Sequence, residues 1–379
     1  MLFKDIAGQE VIKKKLINNI KKRRVPHAQL FIGPEGSGKL AIALAFSQYI
    51  NCENPSEEDA CGECASCKKF NKLIHPDLHM FYPVANNKEF TKDTNSTTYI
   101  SHWRELVLQN PYFSLMDWYS HIGIENKQGI IKADDCNEII HLMNLKSYES
   151  PYKIVIIWMV EKLFHSAAPK LLKILEEPPE KTVFILIAEN QQQILKTILS
   201  RTQVLKIPAV KESDIVEHLQ DKYNADNMLA KKAAFLSAGN MATALYVVKH
   251  GYEHLDVFES FRDWMRACYS FKVEDIFKIV DRFAKVGREK QKSLLLYSVK
   301  MFRICLLINM KVENDSVLRI EGEEKAFLEK FSSFIVPSNT DDITRLFQEA
   351  YLNIERNANP KILFADLSFK MTRIMRSVK

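Results

Sequence analysis

"HAQLFIGPEGSGKLAIALAFSQYI", residues 27 to 50, decides the fold. Its first part, His27 to Gly33, is a short apolar run ending in glycine, as a buried strand would be. A polar, glycine-rich turn follows, and from Lys39 an alanine-rich stretch reads as helix. Strand, glycine turn and helix are the context in which backbone N–H groups cradle phosphate, with the helix N-terminus adding its dipole. Gly33, Gly36, Gly38 and Lys39 supply the glycines and the lysine of such a loop at the required spacing. The next position, where a Ser or Thr hydroxyl would hold magnesium, is Leu40. A leucine cannot coordinate a metal.

The other half of a nucleotide-hydrolysing site is an acid at the tip of a neighbouring strand, holding magnesium through water. "KIVIIWMVEKLF", residues 153 to 164, has the apolar run of that strand, but Trp158 and Met159 stand where the acids should be. Glu161 comes later, at the start of the next helix. Phosphoryl transfer depends on positioned charge, so losing the hydroxyl and the acids together predicts a site without hydrolysis. Whether ATP or ADP still binds at Lys39 stays open at this point.

"TVFILIA" (182–188) is a third continuous apolar run, and "SAAPKLLKILEEPPE" (166–180) is an amphipathic helix stopped by Pro178 and Pro179. Strands alternating with helices predict a parallel sheet covered on both faces. Beyond Pro208 helical periodicity continues without a convincing strand, and a break falls near Gly251. Three domains follow from this: an α/β domain over 1–208, a helical lid over 209–252, and a helical domain over 253–379. Residues 85–125 interrupt the pattern, mixing polar turn residues with aromatics. Such aromatics stack on bases or a partner, or pack on one another; packing is the expectation.

Cys52-x8-Cys61-x2-Cys64-x2-Cys67 places four thiols within residues 52–67, enough for a closed tetrahedral zinc site. A site with no open position is structural. An iron–sulfur centre is the competitor, and Cys-x2-Cys pairs on a solvent-facing excursion favour zinc. Cys136, Cys268 and Cys305 sit singly among apolar residues and are expected in cores.

The 379 residues are 46% hydrophobic and 26% charged, ordinary for a globular protein. No apolar run reaches the ~20 residues that span a bilayer, which predicts no membrane partner. "MLFKDIAGQEV" lacks the basic-then-apolar layout of a secretion signal, so a cytoplasmic location is expected. A net charge of +6 allows contact with phosphates without identifying nucleic acid.

"LFKDIAGQEVIKKKL" (2–16), "RRVPHAQLFIGPEGSGK" (23–39), "APKLLKILEEPPE" (168–180) and "ILSRTQVLKIP" (198–208) together carry a resemblance. They resemble the bacterial clamp-loader subunits of the AAA+ superfamily, over about the first 250 residues. In that family the cysteines follow the phosphate loop as they do here, "LEEPP" is a recurrent box, and a serine–arginine–cysteine motif matches Ser200, Arg201 and Thr202. The lid's sensor arginine is replaced by Ala242, in "AGNMATAL". The resemblance implies an AAA+ P-loop sheet domain with a zinc module, a helical lid and a C-terminal helical collar that oligomerises. It implies a member that is no enzyme by itself and that offers Arg201, with Ser200, to a neighbour's ATP. Implied partners are other clamp-loader subunits (gamma/tau and delta) in a hetero-oligomeric ring, and through them the sliding clamp and primer-template DNA. Implied cofactors are structural Zn2+ and, without hydrolysis, ATP or ADP. Two rivals remain: an active clamp-loader ATPase, and a zinc-containing DNA-binding module with a vestigial nucleotide fold.

Overall fold

The opening apolar run becomes β1 (Ala28–Ile32), buried at every residue. A computed structural model describes residues 1–92, 94–124, 127–164, 167–250, 257–312, 322–355 and 358–377. They form two compact units, Met1–Lys249 and His250–Lys379. In the first unit β1 joins β2 (Leu78–Phe81), β3 (Lys153–Trp158), β4 (Thr182–Ala188) and β5 (Gln203–Lys206) in one sheet of order β2-β3-β4-β1-β5. Every pairing is parallel, with Leu30 set between Leu186 and Val204. β3 and β4 are buried at every residue, which explains their unbroken Ile/Val/Phe runs.

The helices of this unit are α1 (Glu10–Lys21), α2 (Lys39–Ile50), α3 (Ala65–Asn71), α4 (Ile100–Gln109), α5 (Leu115–His121), α6 (Ala133–Asn144), α7 (Ala168–Glu176) and α8 (Lys196–Leu199). Alternation along β1 sends Leu30 into a cluster with Ile139 of α6 and Leu171 of α7. The next residue, Phe31, meets Phe46 of α2, ring centroids 6.5 Å apart. α2 is buried along its whole length, so its apolar character runs all round rather than on one stripe.

Residues 85–125 pack on the protein itself, with Asp93 and Glu125 outside the described residues. The ring of Trp103 stacks on Tyr82 at 3.9 Å, and Trp118 stands edge-on to both. All three rings are buried, and Trp118 Nε1 donates to Pro83 O at 2.8 Å. This satellite core reaches the sheet through Trp158.

Three further helices complete the first unit: α9 (Glu212–Tyr223), α10 (Asn227–Ser237) and α11 (Met241–His250). Asp226 caps α10, accepting from Met228 N at 2.8 Å and Leu229 N at 3.0 Å. The break expected near Gly251 lies outside the described residues. Among them no strand follows Pro208.

The second unit is helical: α12 (Val257–Ser270), α13 (Val273–Lys285), α14 (Arg288–Asn309), α15 (Gly322–Phe331), α16 (Pro337–Glu355) and α17 (Pro360–Ser377). Its core centres on Trp264, whose ring meets Phe283, Phe347 and Phe364. The indole N–H donates to Ser368 Oγ at 2.8 Å, so the one polar atom of that side chain is satisfied. Cys136, Cys268 and Cys305 are buried, as expected. No described helix is long and apolar enough to cross a membrane.

Candidate functional site

The glycine turn lies between β1 and α2. Gly36 and Gly38 take φ of +69° and +85°, a left-handed region that a side chain would strain. Lys39 opens α2, yet its ammonium does not point outward. Nζ donates to Gly33 O at 2.8 Å and Pro34 O at 2.6 Å, and lies 3.5 Å from Glu189 Oε1. Burial pulls its pKa down, while Glu189 and Glu161 pull it back up. Gln9, ahead of α1, clamps the loop: its Nε2 donates to Ser37 O at 3.2 Å and Pro208 O at 2.7 Å. The start of α11 sits on the same loop, where Met241 N–H donates to Gly36 O at 3.1 Å. A Cβ built on Gly36 would fall 1.8 Å from Asn240 Oδ1.

Where a magnesium shell would be expected, apolar side chains are packed. Leu40 is 4% exposed. Trp158 closes β3 with its ring 5.2 Å from both Trp103 and Phe113. Met159, buried beside it, bends the chain at φ +57°. Glu161 is turned to the tip of β4, its Oε1 accepting from Glu189 N at 2.8 Å. Burial pushes its carboxyl up.

Sequence reasoning missed two residues that complete this environment. Tyr112 and Phe113, between α4 and α5, reach the loop and the tip of β3 respectively. A Cβ on Gly38 would lie 3.1 Å from Tyr112 Cε1, and the Tyr112 hydroxyl accepts from Ala7 N–H at 2.9 Å. On its other side the phenol faces His218 of α9, centroids 6.2 Å apart. Burial, with Lys222 and Lys13 nearby, pulls His218 down to about 4, so the imidazole is neutral near pH 7. A signal was present: "PYF" is an aromatic pair in polar surroundings, and Trp158 at a strand tip needs apolar neighbours.

Arg201 lies just after α8. Its Nε donates to Glu176 Oε1 at 2.7 Å, and Nη2 pairs with the same carboxylate. Nη1 donates to Thr197 O at 3.0 Å and Ser200 Oγ at 3.2 Å. The "LEEPP" stretch and the serine–arginine motif, separate in sequence, therefore meet through Glu176. These partners all belong to α7 and α8 or their ends, not to the phosphate loop. Ala242 lies in the first turn of α11, its N–H donating to Asn240 Oδ1 at 2.9 Å.

The four clustered cysteines converge, with one Sγ from each lying within 4.8 Å of all the others. Sulfurs ~2.3 Å from a tetrahedral zinc would stand roughly 3.8 Å apart, and Cys61 and Cys67 Sγ are at 3.9 Å. Backbone N–H groups of Cys61, Cys64 and Cys67 each donate to a cysteine sulfur at 3.3 Å, the pattern that stabilises thiolates. Such donors, chiefly Cys64 N–H, bring Cys61 down to about 6, while burial pushes Cys67 up. The donor set fits a structural zinc.

Comparison with known proteins gives the following. The family profile described as "DNA polymerase III, delta subunit" matches residues 8–211, more than half of the chain. The DNA polymerase III subunit gamma of Buchnera aphidicola is 27% identical over 253 residues, 65% of this chain and 58% of that protein. The DNA polymerase III subunit delta' of Bacillus subtilis is 28% identical over 211 residues, 56% of this chain and 51% of that protein. The chain thus spans little more than half the length of these curated relatives. A solved gamma subunit-related protein from Thermotoga maritima aligns over 95% of this chain and all of that one, with 18% identity and a TM-score of 0.39.

Proposed function

Because the chain belongs to the DNA polymerase III delta-subunit family, a clamp-loader AAA+ family, we propose that it is the non-hydrolysing member of a loader, similar to delta-prime. In this reading it takes a place in a hetero-oligomeric ring with gamma/tau and delta subunits. It helps that ring load the sliding clamp on primer-template DNA, and it offers Arg201, with Ser200, to the ATP of a neighbouring motor subunit. One observation carries the reading: Trp158 is wedged between Trp103 and Phe113 where the metal-binding acid would stand. With Leu40 in the hydroxyl position, no side chain at either expected place can hold magnesium.

The pure chain is therefore expected to turn over no ATP above background, and Lys39→Ala is expected to change nothing. A coupled ATPase assay with and without magnesium checks this. Magnesium-dependent turnover that disappears in Lys39→Ala would establish the rival reading, a working motor. That rival has the gamma-named relatives on its side, since they match this chain as well as the delta' protein does.

The zinc belongs to the proposal too. Cys52, Cys61, Cys64 and Cys67 would hold one ion, whose part is to fix the fold of the loop between α2 and α3. The second unit, His250–Lys379, would supply the collar of the ring.

A further inference from the structure

We propose that residues 85–124 carry a built-in plug, Tyr112 and Phe113, which fills the nucleotide site and makes the chain's conformation independent of ATP. The inference rests on the reading of the chain as a non-hydrolysing subunit and concerns the same site.

A nucleoside triphosphate on this loop would need three spaces. Its phosphates would need the amides at the start of α2 and an outward lysine, its metal the tips of β3 and β4, and its sugar and base the ground beyond Gly38. Protein groups occupy the last two. At the first, the Lys39 ammonium donates to the Gly33 and Pro34 carbonyls, which holds it at the loop and uses two of its three N–H groups. Phe113 packs on Trp158 at the strand tip, 5.2 Å between centroids. The Tyr112 ring stands against Gly38, with His218 on its far side.

Tyr112 is not loosely lodged there. It is 4% exposed, and its hydroxyl takes the backbone N–H of Ala7 in a bond of 2.9 Å. A phenol with a polar tip, flanked by a neutral imidazole, is the shape and chemistry of a bound aromatic base. The plug thereby joins three parts of the first unit that a nucleotide would otherwise bridge: the N-terminal segment at Ala7, the phosphate loop at Gly38 and the lid helix α9 at His218. The lid is further fixed by Met241 N–H on Gly36 O. A subunit locked in this way keeps one geometry while its neighbours cycle, as a fixed reference within a ring must.

The arithmetic of occluded sites gives the test. Apparent affinity falls in proportion to the fraction of molecules whose pocket is open. Binding of ATP to the full chain is measured by equilibrium dialysis with labelled nucleotide, for wild type, Tyr112→Phe, Tyr112→Ser and Tyr112→Ala/Phe113→Ala. Wild type and Tyr112→Phe, which keeps the ring, are expected to show no saturable binding at millimolar ATP. The opened variants should bind at least about tenfold more tightly, and Lys39→Ala in their background should abolish the gain. Folding is checked by circular dichroism, and Tyr112→Ser stands in if the double variant unfolds. Saturable, Lys39-dependent binding to wild type overturns the plug, whatever the variants do. So does a folded opened variant that binds no better than wild type. Neither result touches the role of Arg201, whose failure is read in a neighbour's turnover instead.

Discussion

Arg201→Ala is expected to slow ATP turnover at the one active site this chain faces by roughly 10³ to 10⁵-fold, the range for an arginine supplied across an interface. That range corresponds to about 4–7 kcal/mol of transition-state stabilisation. The price of presenting the arginine is small by comparison. Its pair with Glu176 is half-exposed, with side chains 33% and 47% accessible, and exposed ion pairs are worth roughly 0.2–1 kcal/mol. A neighbour's phosphates can therefore draw the guanidinium off Glu176. Thr197 O and Ser200 Oγ still aim Nη1 from behind. Lysine should not substitute, because one ammonium lacks the planar fork with which arginine keeps Thr197 O and Ser200 Oγ on one nitrogen while presenting the others to phosphate.

In a loader with several motor subunits the bulk rate should fall less than the single-site rate. The informative measurement is single-turnover hydrolysis at the interface this chain forms, alongside clamp loading. The mutant should still assemble, since no core contact depends on Arg201. Unchanged turnover at that interface would remove the proposed role. Failure to enter the ring would make Arg201 a structural contact instead.

How far the sequence revealed this molecule depended on how local each determinant was. Helix Lys39–Ile50 and strand Thr182–Ala188 emerged with the bounds read from their apolar patterns, because continuous burial leaves an unbroken signature. The convergence of the four cysteines was legible because their spacing holds them within one short loop. β2 was not foreseen. It is four residues long, and its half-buried His79 breaks the apolar run. β5 buries only Leu205, and its place is fixed by pairing to β1, 170 and more residues earlier.

The site divided along the same line. Leu40, Trp158 and Met159 drew notice in the sequence because each occupies a position defined by its neighbours along the chain. What packs around those positions was not visible. Tyr112 reaches Gly38 across 70-odd residues of chain, and Glu176 finds Arg201 across 25. No periodicity encodes either contact; both follow from how the sheet and its insertion are folded. Trp158 was read from its position at the strand tip, while its contacts between the sheet and the insertion's aromatic core needed the structure.

Loss of the zinc proposed for the four cysteines should produce the largest change in stability. Free energies of zinc binding to small structural sites run to about 10–16 kcal/mol at neutral pH, comparable with the whole stability of a domain. Here the cluster is set into a larger core, so part of the loss is absorbed. Tyr49 of α2 donates its hydroxyl to Ser56 O at 3.0 Å, and Phe70 of α3 stacks on His75 at 4.4 Å. Both contacts can persist without metal.

The cluster also anchors the chain's start, for Asp59 accepts from Phe3 N at 3.0 Å and Lys4 N at 2.9 Å. The N-terminal amine meanwhile donates to Gln48 and to Asn71 of α3. Replacing Cys61 and Cys64 by serine should loosen that whole corner, with a loss of about 5 kcal/mol, half the low end of the range for isolated sites. For a unit of this size that lowers the melting temperature by roughly 10–20 °C. The second unit should melt as before, since its core contains none of these residues. Elemental analysis of protein purified without chelator should find one zinc per chain. Iron in its place, or no stoichiometric metal with an unchanged melt in the double serine variant, would show that the four sulfurs converge for packing alone. If zinc is present, the loss should extend beyond the cysteine loop to Ala7, the residue that holds Tyr112. The variant should then exchange the Ala7 amide faster than wild type, which hydrogen exchange resolves at one residue.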